Sequence, residues 1–131
     1  MSRYERFGTR DLTFSSWHRS LPNSCTAIDI DFLEYCQRCR APLALIELAR
    51  DVGQDFKATT VMERLAECAN VRAYLVLYEL DEGEKYGMGR CRVSRVWPDR
   101  TPLKRHSLDA VGRLIVRIHE EHQCANRATA A

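Results

Sequence analysis

Three carboxylates in the first half of the chain have the types and spacing of a site for a hard metal ion. Asp29 and Asp31 lie two residues apart in an alternating stretch, so a strand would point both acids to the same face. Glu47 interrupts the otherwise apolar run at residues 42–49, where a buried carboxylate is costly unless a partner binds it. If the two stretches form a hairpin, Asp31 and Glu47 meet on one face of the sheet. Such a cluster suits Mg²⁺ or Mn²⁺, and the alternative is that Glu47 pairs with an arginine.

The elements that must position these acids follow from the periodicity of the apolar residues. The pattern predicts helices over residues 13–21, 60–70 and from Ser107, and strands over residues 25–36, 42–49, 71–80 and 90–97. A strand, a helix and a strand within about 40 residues imply a right-handed crossover, so the third strand should run parallel to the second. The fourth strand alternates basic and apolar residues, as an edge strand does.

The length of 131 residues suits a single domain of the α/β class, with a mixed central sheet flanked by helices. We expect its core to cover residues 12–122 and residues 123–131 to be disordered. No apolar run reaches the ~18 residues of a membrane span, and the N-terminus lacks the apolar segment of a secretory signal. These features favour a cytoplasmic protein that does not enter a membrane.

Six cysteines raise the question of a second kind of metal site. Without a secretory signal, reduced thiols are expected rather than disulfides. Cys36 and Cys39 form one Cys-x-x-Cys pair, and a zinc site would need two further ligands. The candidates are His119, His122 and Cys124, although their spacing matches no zinc-finger pattern. The alternative is that the cysteine pair flanks a hairpin turn and that both histidines lie on a solvated helix face.

The stretch DIDFLEY, a turn and then PLALIELA resembles the core of the PD-(D/E)XK nuclease superfamily, whose restriction-endonuclease-like fold has an αβββαβ core. The resemblance covers roughly residues 12–80. It is greatest to small phage nucleases and Holliday-junction-resolvase-like members, in which a Trp-His-Arg helix precedes an Asp-Ile-Asp strand. It implies that Asp31 and Glu47 are the motif acids that hold Mg²⁺ or Mn²⁺, that Asp29 is a supporting ligand, and that the substrate is DNA, branched or otherwise structured.

The chain departs from the family pattern at two points. Ala49 stands where the family has a lysine that orients the attacking water and helps to deprotonate it. Lys57 could substitute for that lysine, the protein could be a natural pseudo-nuclease, or Ala49 could be an engineered substitution. The sequence also has room for two strands where the family core has three, unless residues 24–36 hold two short ones.

Arginine supplies 17 of the 20 basic residues, and its planar group suits bidentate contact with phosphate, although a GC-rich genome would give the same excess. Trp17 is expected in the core. The expected DNA contacts are Arg19, Arg38, Arg40, Arg90 and Arg92. The alternative for the last strand is a solvated basic edge that deters strand pairing.

Three functions therefore compete. They are a metal-dependent deoxyribonuclease, a non-catalytic nucleic-acid-binding or protein-interaction module on the same fold, and a small zinc-stabilised regulator. Because cutting both strands of a duplex takes two sites, the resemblance also allows a homodimer.

Overall fold

The computed structural model describes residues 11–124, which form a five-stranded mixed sheet and three helices. The helices are α1 (Thr13–His18), α2 (Thr60–Ala69) and α3 (Leu108–Glu121). The strands are β1 (Phe32–Tyr35), β2 (Pro42–Arg50), β3 (Arg72–Leu80), β4 (Met88–Trp97) and β5 (Lys104–His106). The predicted α/β class with a mixed sheet is confirmed at this level.

The strands lie in the sheet in chain order, β1-β2-β3-β4-β5. β1 and β2 form the predicted antiparallel hairpin, in which Phe32 lies opposite Ile46. β2 and β3 are parallel, as the crossover through α2 requires, and Glu47 lies opposite Leu75. β4 pairs antiparallel with β3 and with β5.

Both faces of β2 are covered, because its alternate residues belong to two different halves of the core. Leu45 packs with Met62 and Ala66 of α2, whereas Ala44 and Ile46 pack on the face that carries Ile118 of α3. Glu47 and Ala49 follow Leu45 at every second position and therefore share the α2 face. The run of apolar residues in β2 is thus that of a central strand covered on both sides.

Local signals placed two helix ends correctly. Asn70 ends α2 in the left-handed conformation, with φ 54° and ψ 48°, and its N–H donates to the carbonyls of Ala66 and Glu67. The Ser107 hydroxyl accepts the Ala110 N–H at 3.1 Å and caps α3. Asn70 therefore ends its helix and Ser107 begins its helix, as their positions in the sequence suggest.

The first predicted strand, residues 25–36, is much shorter than expected and covers only β1. The reason is Asp31, whose Oδ2 accepts the Leu48 N–H at 2.8 Å. The Asp31 side chain therefore occupies the Leu48 N–H of β2. A longer β1 would have needed this N–H as a hydrogen-bond donor to its own backbone. Asp29 and Asp31 therefore lie in the segment before β1, which is not part of a strand.

The prediction that the fourth strand lies at an edge is wrong. Three residues of β5 pair with β4 through Cys91–His106, Arg92–Arg105 and Val93–Lys104, so β4 is internal and β5 is the edge strand. β5 is too short and too polar to produce an alternating pattern of its own.

The N-terminal helix also differs from its prediction. α1 ends at His18 instead of residue 21, and none of its six residues is buried. Trp17 is not in the core, because 54% of it is exposed, and Phe14 is 70% exposed. Within residues 11–124, none of the helices combines the length and the apolar character needed to cross a membrane. The predicted disordered tail lies outside the described residues from residue 125 onward.

Candidate functional site

The structure brings Asp31 and Glu47 together at the end of the β1–β2 hairpin that lies away from its turn. Asp31 directly precedes Phe32, whose partner is Ile46, so the next position on each strand places Asp31 beside Glu47. The hydrogen bond from the Leu48 N–H fixes the Asp31 carboxylate there. The Glu47 side chain is 18% exposed and lies on the same face as the α2 half of the core.

The electrostatics of Glu47 show an excess of negative charge. Burial raises the pKa of its carboxyl, and the Asp31 carboxylate raises it further by hydrogen bonding and by charge. Lys57 lowers the pKa but does not compensate for both effects. A divalent cation between the two acids would offset the effect of Asp31 on the charged form of Glu47.

Lys57 supplies the amine of the site. Its Nζ donates to Glu47 Oε1 at 2.8 Å and to the Leu48 carbonyl at 3.3 Å. Lys57 comes from the loop between β2 and α2, whereas Ala49 stays on the strand and packs against the core cluster that contains Leu45. The structure therefore places the Lys57 amine against Glu47, although residue 49, where the family has its lysine, is alanine.

A second ion pair, which the sequence analysis missed, anchors the loop that carries Lys57. Arg92 binds both oxygens of Asp51 at 2.8 Å and the Gln54 carbonyl at 2.6 Å. The Arg92 guanidinium and the Gly53 N–H hold the pKa of Asp51 down at about 2. Arg92 was expected to contact DNA, but its guanidinium binds the Asp51 carboxylate in this structure. The sequence Asp51-Val-Gly53 signals only the local turn, in which the Asp51 side chain accepts the Gly53 N–H, and not the pairing with Arg92.

The other end of the same loop is held by Arg100. Its Nη2 donates to Thr59 Oγ1 at 2.8 Å and lies 3.2 Å from Glu63 Oε2, and its guanidinium stands 5.7 Å from the centre of the Phe56 ring. The loop is thus fixed on both sides of Lys57. No local sequence pattern connects Arg100 with residues some 40 positions earlier.

Access to the acids is through a cavity of about 260 Å³ between the segment before β1, β2 and α2. Asp29, Asp31 and Glu47 line it together with apolar residues of α2. A more apolar cavity of about 450 Å³ lies under α3 and brings no comparable group of acids together. Of these two cavities, the smaller one therefore holds the group of acids.

The four other arginines expected at the DNA surface are all exposed, but they do not surround the acids. Arg38 and Arg40 lie in the β1–β2 turn, at the opposite end of the hairpin from Asp31. At ~3.3 Å per strand residue the turn is on the order of 10–15 Å from that acid. Arg90 borders a separate cleft that also holds acidic residues, and Arg19 directly follows α1.

A second cluster of potential metal ligands lies at the turn end of the hairpin. One ligand atom from each of Cys36, Cys39, His122 and Cys124 lies within 4.8 Å of the other three. Cys124 was expected to lie in the disordered tail of residues 123–131, but it belongs to this cluster. His119, the other histidine considered for zinc, does not join it and instead contacts Glu34 at 2.8 Å.

The thiols of this cluster differ in their tendency to ionise. The Cys39 N–H, followed by the Arg38 N–H and the neighbouring thiols, lowers the pKa of Cys36 to about 7. The Ala41 N–H lowers the pKa of Cys39, but burial and the thiols of Cys124 and Cys36 outweigh it, so that this pKa is raised. The turn thus already aims backbone donors at two of the sulfur atoms.

Comparison of the chain with family models finds no match, and comparisons with curated proteins and with solved structures find no significant match either.

Glu47→Gln is expected to leave the melting temperature of the protein without divalent cations unchanged or to raise it. Because the folded state raises the Glu47 pKa above its usual value near 4.5, the charged carboxylate costs folding free energy. That cost is absent below pH 4.5 and grows as the pH rises through the pKa of the folded state. Thermal melts from pH 4 to 8 test this. A large loss of stability at neutral pH would instead identify Glu47 as a structural partner of Lys57.

Proposed function

We propose that this protein is a Mg²⁺- or Mn²⁺-dependent DNA endonuclease. Asp31 and Glu47 hold the ion, Asp29 assists, and Lys57 takes the place of the motif lysine that Ala49 lacks. The observation that carries the proposal is the convergence of Asp31 and Glu47 at one cavity, with the Lys57 amine hydrogen-bonded to Glu47.

The donor set suits the ion. Carboxylate oxygens are the ligands that Mg²⁺ and Mn²⁺ prefer, and the pKa of Glu47 is raised first by burial and then by the neighbouring Asp31 carboxylate. A purely structural ion pair would need only Glu47 and Lys57. The presence of Asp31, with its carboxylate fixed by the Leu48 N–H, favours a binding site over a simple pair.

Each residue then has a role in phosphodiester hydrolysis. A bound Mg²⁺ would lower the pKa of an attacking water and stabilise negative charge on the phosphate. Asp31 and Glu47 would fix the position of the ion on the protein. Lys57 donates hydrogen bonds at this place and can orient the water for attack. The loop contacts of Asp51 and Thr59 hold Lys57 in position.

The fold offers partial support for the restriction-endonuclease-like assignment. The order α1, β1, β2, α2, β3 resembles the family core, with an acid before one strand, an acid on the next and a helical crossover after it. The described residues contain one strand before β2 where that core has two. We propose that the shortened β1 and the extended segment before it replace the missing strand.

The proposed substrate is duplex DNA with a branch or another irregularity, as for the nucleases that the sequence resembles. Arg19, Arg38, Arg40 and Arg90 remain the proposed phosphate contacts, and their spread suits a long duplex better than a short oligonucleotide. Binding through such contacts weakens as salt rises. A homodimer would bring two sites to the two strands, and sedimentation with and without DNA tests for it.

The test is a cleavage assay on linear, nicked and four-way-junction DNA with Mg²⁺ or Mn²⁺. We expect cleavage with either ion and none when the divalent ion is simply omitted. Omission is better than a chelator here, because a chelator would also remove any metal that the cysteine cluster binds. Salt-sensitive binding without cleavage of any substrate would favour the non-catalytic binding module, and absence of both would refute a role on DNA.

A further inference from the structure

The cysteine cluster joins two parts of the chain that are far apart in sequence. Cys36 and Cys39 lie in the β1–β2 turn, whereas His122 and Cys124 follow the last turn of α3. Cys39 Sγ lies 3.2 Å from His122 Nε2 across a separation of 83 residues. Convergence over such a distance is not a by-product of local turn geometry.

The geometry of the cluster matches a tetrahedral centre. With Zn–S bonds of about 2.3 Å and Zn–N bonds of about 2.0–2.1 Å, neighbouring ligand atoms of a zinc site stand about 3.5–4 Å apart. The four ligand atoms here all lie within 4.8 Å of one another, so a small adjustment of side-chain rotamers closes the site. Three sulfurs and one imidazole form a complete structural set, which leaves no open position for a substrate.

The surroundings of the cluster also suit a metal. The backbone N–H groups of Cys39 and Arg38 point at the Cys36 sulfur, and the Ala41 N–H points at the Cys39 sulfur. Such donors stabilise thiolates and orient them as ligands. The turn itself is closed by hydrogen bonds between Cys36 and residues 40 and 41, with Arg40 in the left-handed region at φ 66°. The first two ligands are therefore already in place.

We propose that Cys36, Cys39, His122 and Cys124 bind one structural Zn²⁺ ion that fastens the C-terminal end of α3 to the β1–β2 turn. The contact between His119 and Glu34 and the ion pair between Arg72 and Glu121 connect the same end of α3 to the sheet. These contacts are partly exposed and contribute little by themselves. Zinc would be the main link between this end of α3 and the turn. It would also hold β1, and with it Asp31, in register with β2. The proposal does not depend on nuclease activity.

Metal analysis of the full chain, purified under reducing conditions without chelator, tests the proposal. We expect one zinc ion per chain in the wild type. After exchange with Co²⁺, we expect the visible d–d bands of a tetrahedral site and a thiolate-to-cobalt charge-transfer band. Protein that carries no zinc and gives no such cobalt spectrum would overturn the proposal. So would a loss of two hydrogens by mass spectrometry that shows a disulfide within the cluster.

Variants separate these ligands from other cysteines. Cys36→Ser and His122→Ala are expected to lose zinc, whereas His122→Cys keeps four ligands and should retain it. Cys68→Ser is the matched control, because Cys68 is exposed on α2 and lies outside the cluster. Equal zinc loss in the Cys68 variant would contradict the assignment. If the ligand variants do not fold, the wild-type cobalt spectrum still decides the question, and the cleavage assay with Mg²⁺ is judged separately.

Discussion

Lys57→Met is expected to lower the rate of Mg²⁺-dependent DNA cleavage by about 10²–10⁴-fold, the usual contribution of a positioned acid–base group. The amine lies 2.8 Å from Glu47 and is the group best placed to orient the attacking water. Methionine keeps most of the length and the apolar stem of lysine but cannot donate a hydrogen bond. Single-turnover rates at saturating DNA measure the effect. DNA affinity should change little, because the variant loses the partly buried contact with Glu47 but none of the proposed phosphate contacts.

Two further variants make this result decisive. Lys85→Met removes an exposed lysine in the β3–β4 loop and should leave cleavage unchanged. Ala49→Lys in the Lys57→Met background should recover at least ~10-fold of the lost rate, since residue 49 shares the face of Glu47. If Lys57→Met cuts as fast as the wild type, or if the wild type is inactive and Ala49→Lys alone activates it, the lysine has not moved to position 57.

Asp31→Asn is expected to reduce cleavage on the order of 10³-fold, because a metal ion contributes several kcal/mol to charge stabilisation in the transition state. Asparagine can still accept the Leu48 N–H, so the local fold should persist. The wild type should also gain thermal stability on Mg²⁺ addition, by about 2.7 kcal/mol at 100 times the dissociation constant, and the variant should gain much less.

Asp99→Asn serves as the control for Asp31→Asn. Asp99 is exposed after β4 and follows Pro98, so the pair has the Pro-Asp sequence of the family name, but Asp99 does not line the cavity of the acids. Its backbone carbonyl, not its side chain, accepts from Arg95. We expect wild-type cleavage and wild-type stabilisation by Mg²⁺. Equal losses in both variants would mean that Asp31 acts through general charge and not as a ligand.

Much of the sheet could be predicted because its signals are local. The apolar run of β2, the helix end at Asn70 and the short connections specify a hairpin followed by a crossover. The extent of β1 and the position of β4 could not be predicted, since each depends on a distant partner. β1 is short because the Asp31 side chain accepts the Leu48 N–H, and β4 is internal because β5 pairs with its outer edge.

The site was predictable to a different degree for each residue. Glu47 stood out because a carboxylate in an apolar strand demands a partner, and Lys57 was a candidate because it follows the same strand. The pairing of Arg92 with Asp51 was not foreseeable, as an alternating basic strand looks the same whether its arginines face solvent or a carboxylate. The thiol cluster was underestimated because its two halves meet only when the whole sheet has formed.

That last property bears on the order in which the protein assembles. Cys39 and His122 can meet only after the chain closes a loop of 83 residues that contains all of the helices and strands from β2 to α3. Closing a loop of this size costs an unfolded chain about 4–5 kcal/mol in the chain-entropy description. A full set of four ligands therefore exists only in molecules that have nearly completed folding, and occupancy of the cluster would report on folding itself. Newly made chains could bind an ion weakly at the Cys-x-x-Cys turn and bind it more tightly once α3 packs against the sheet.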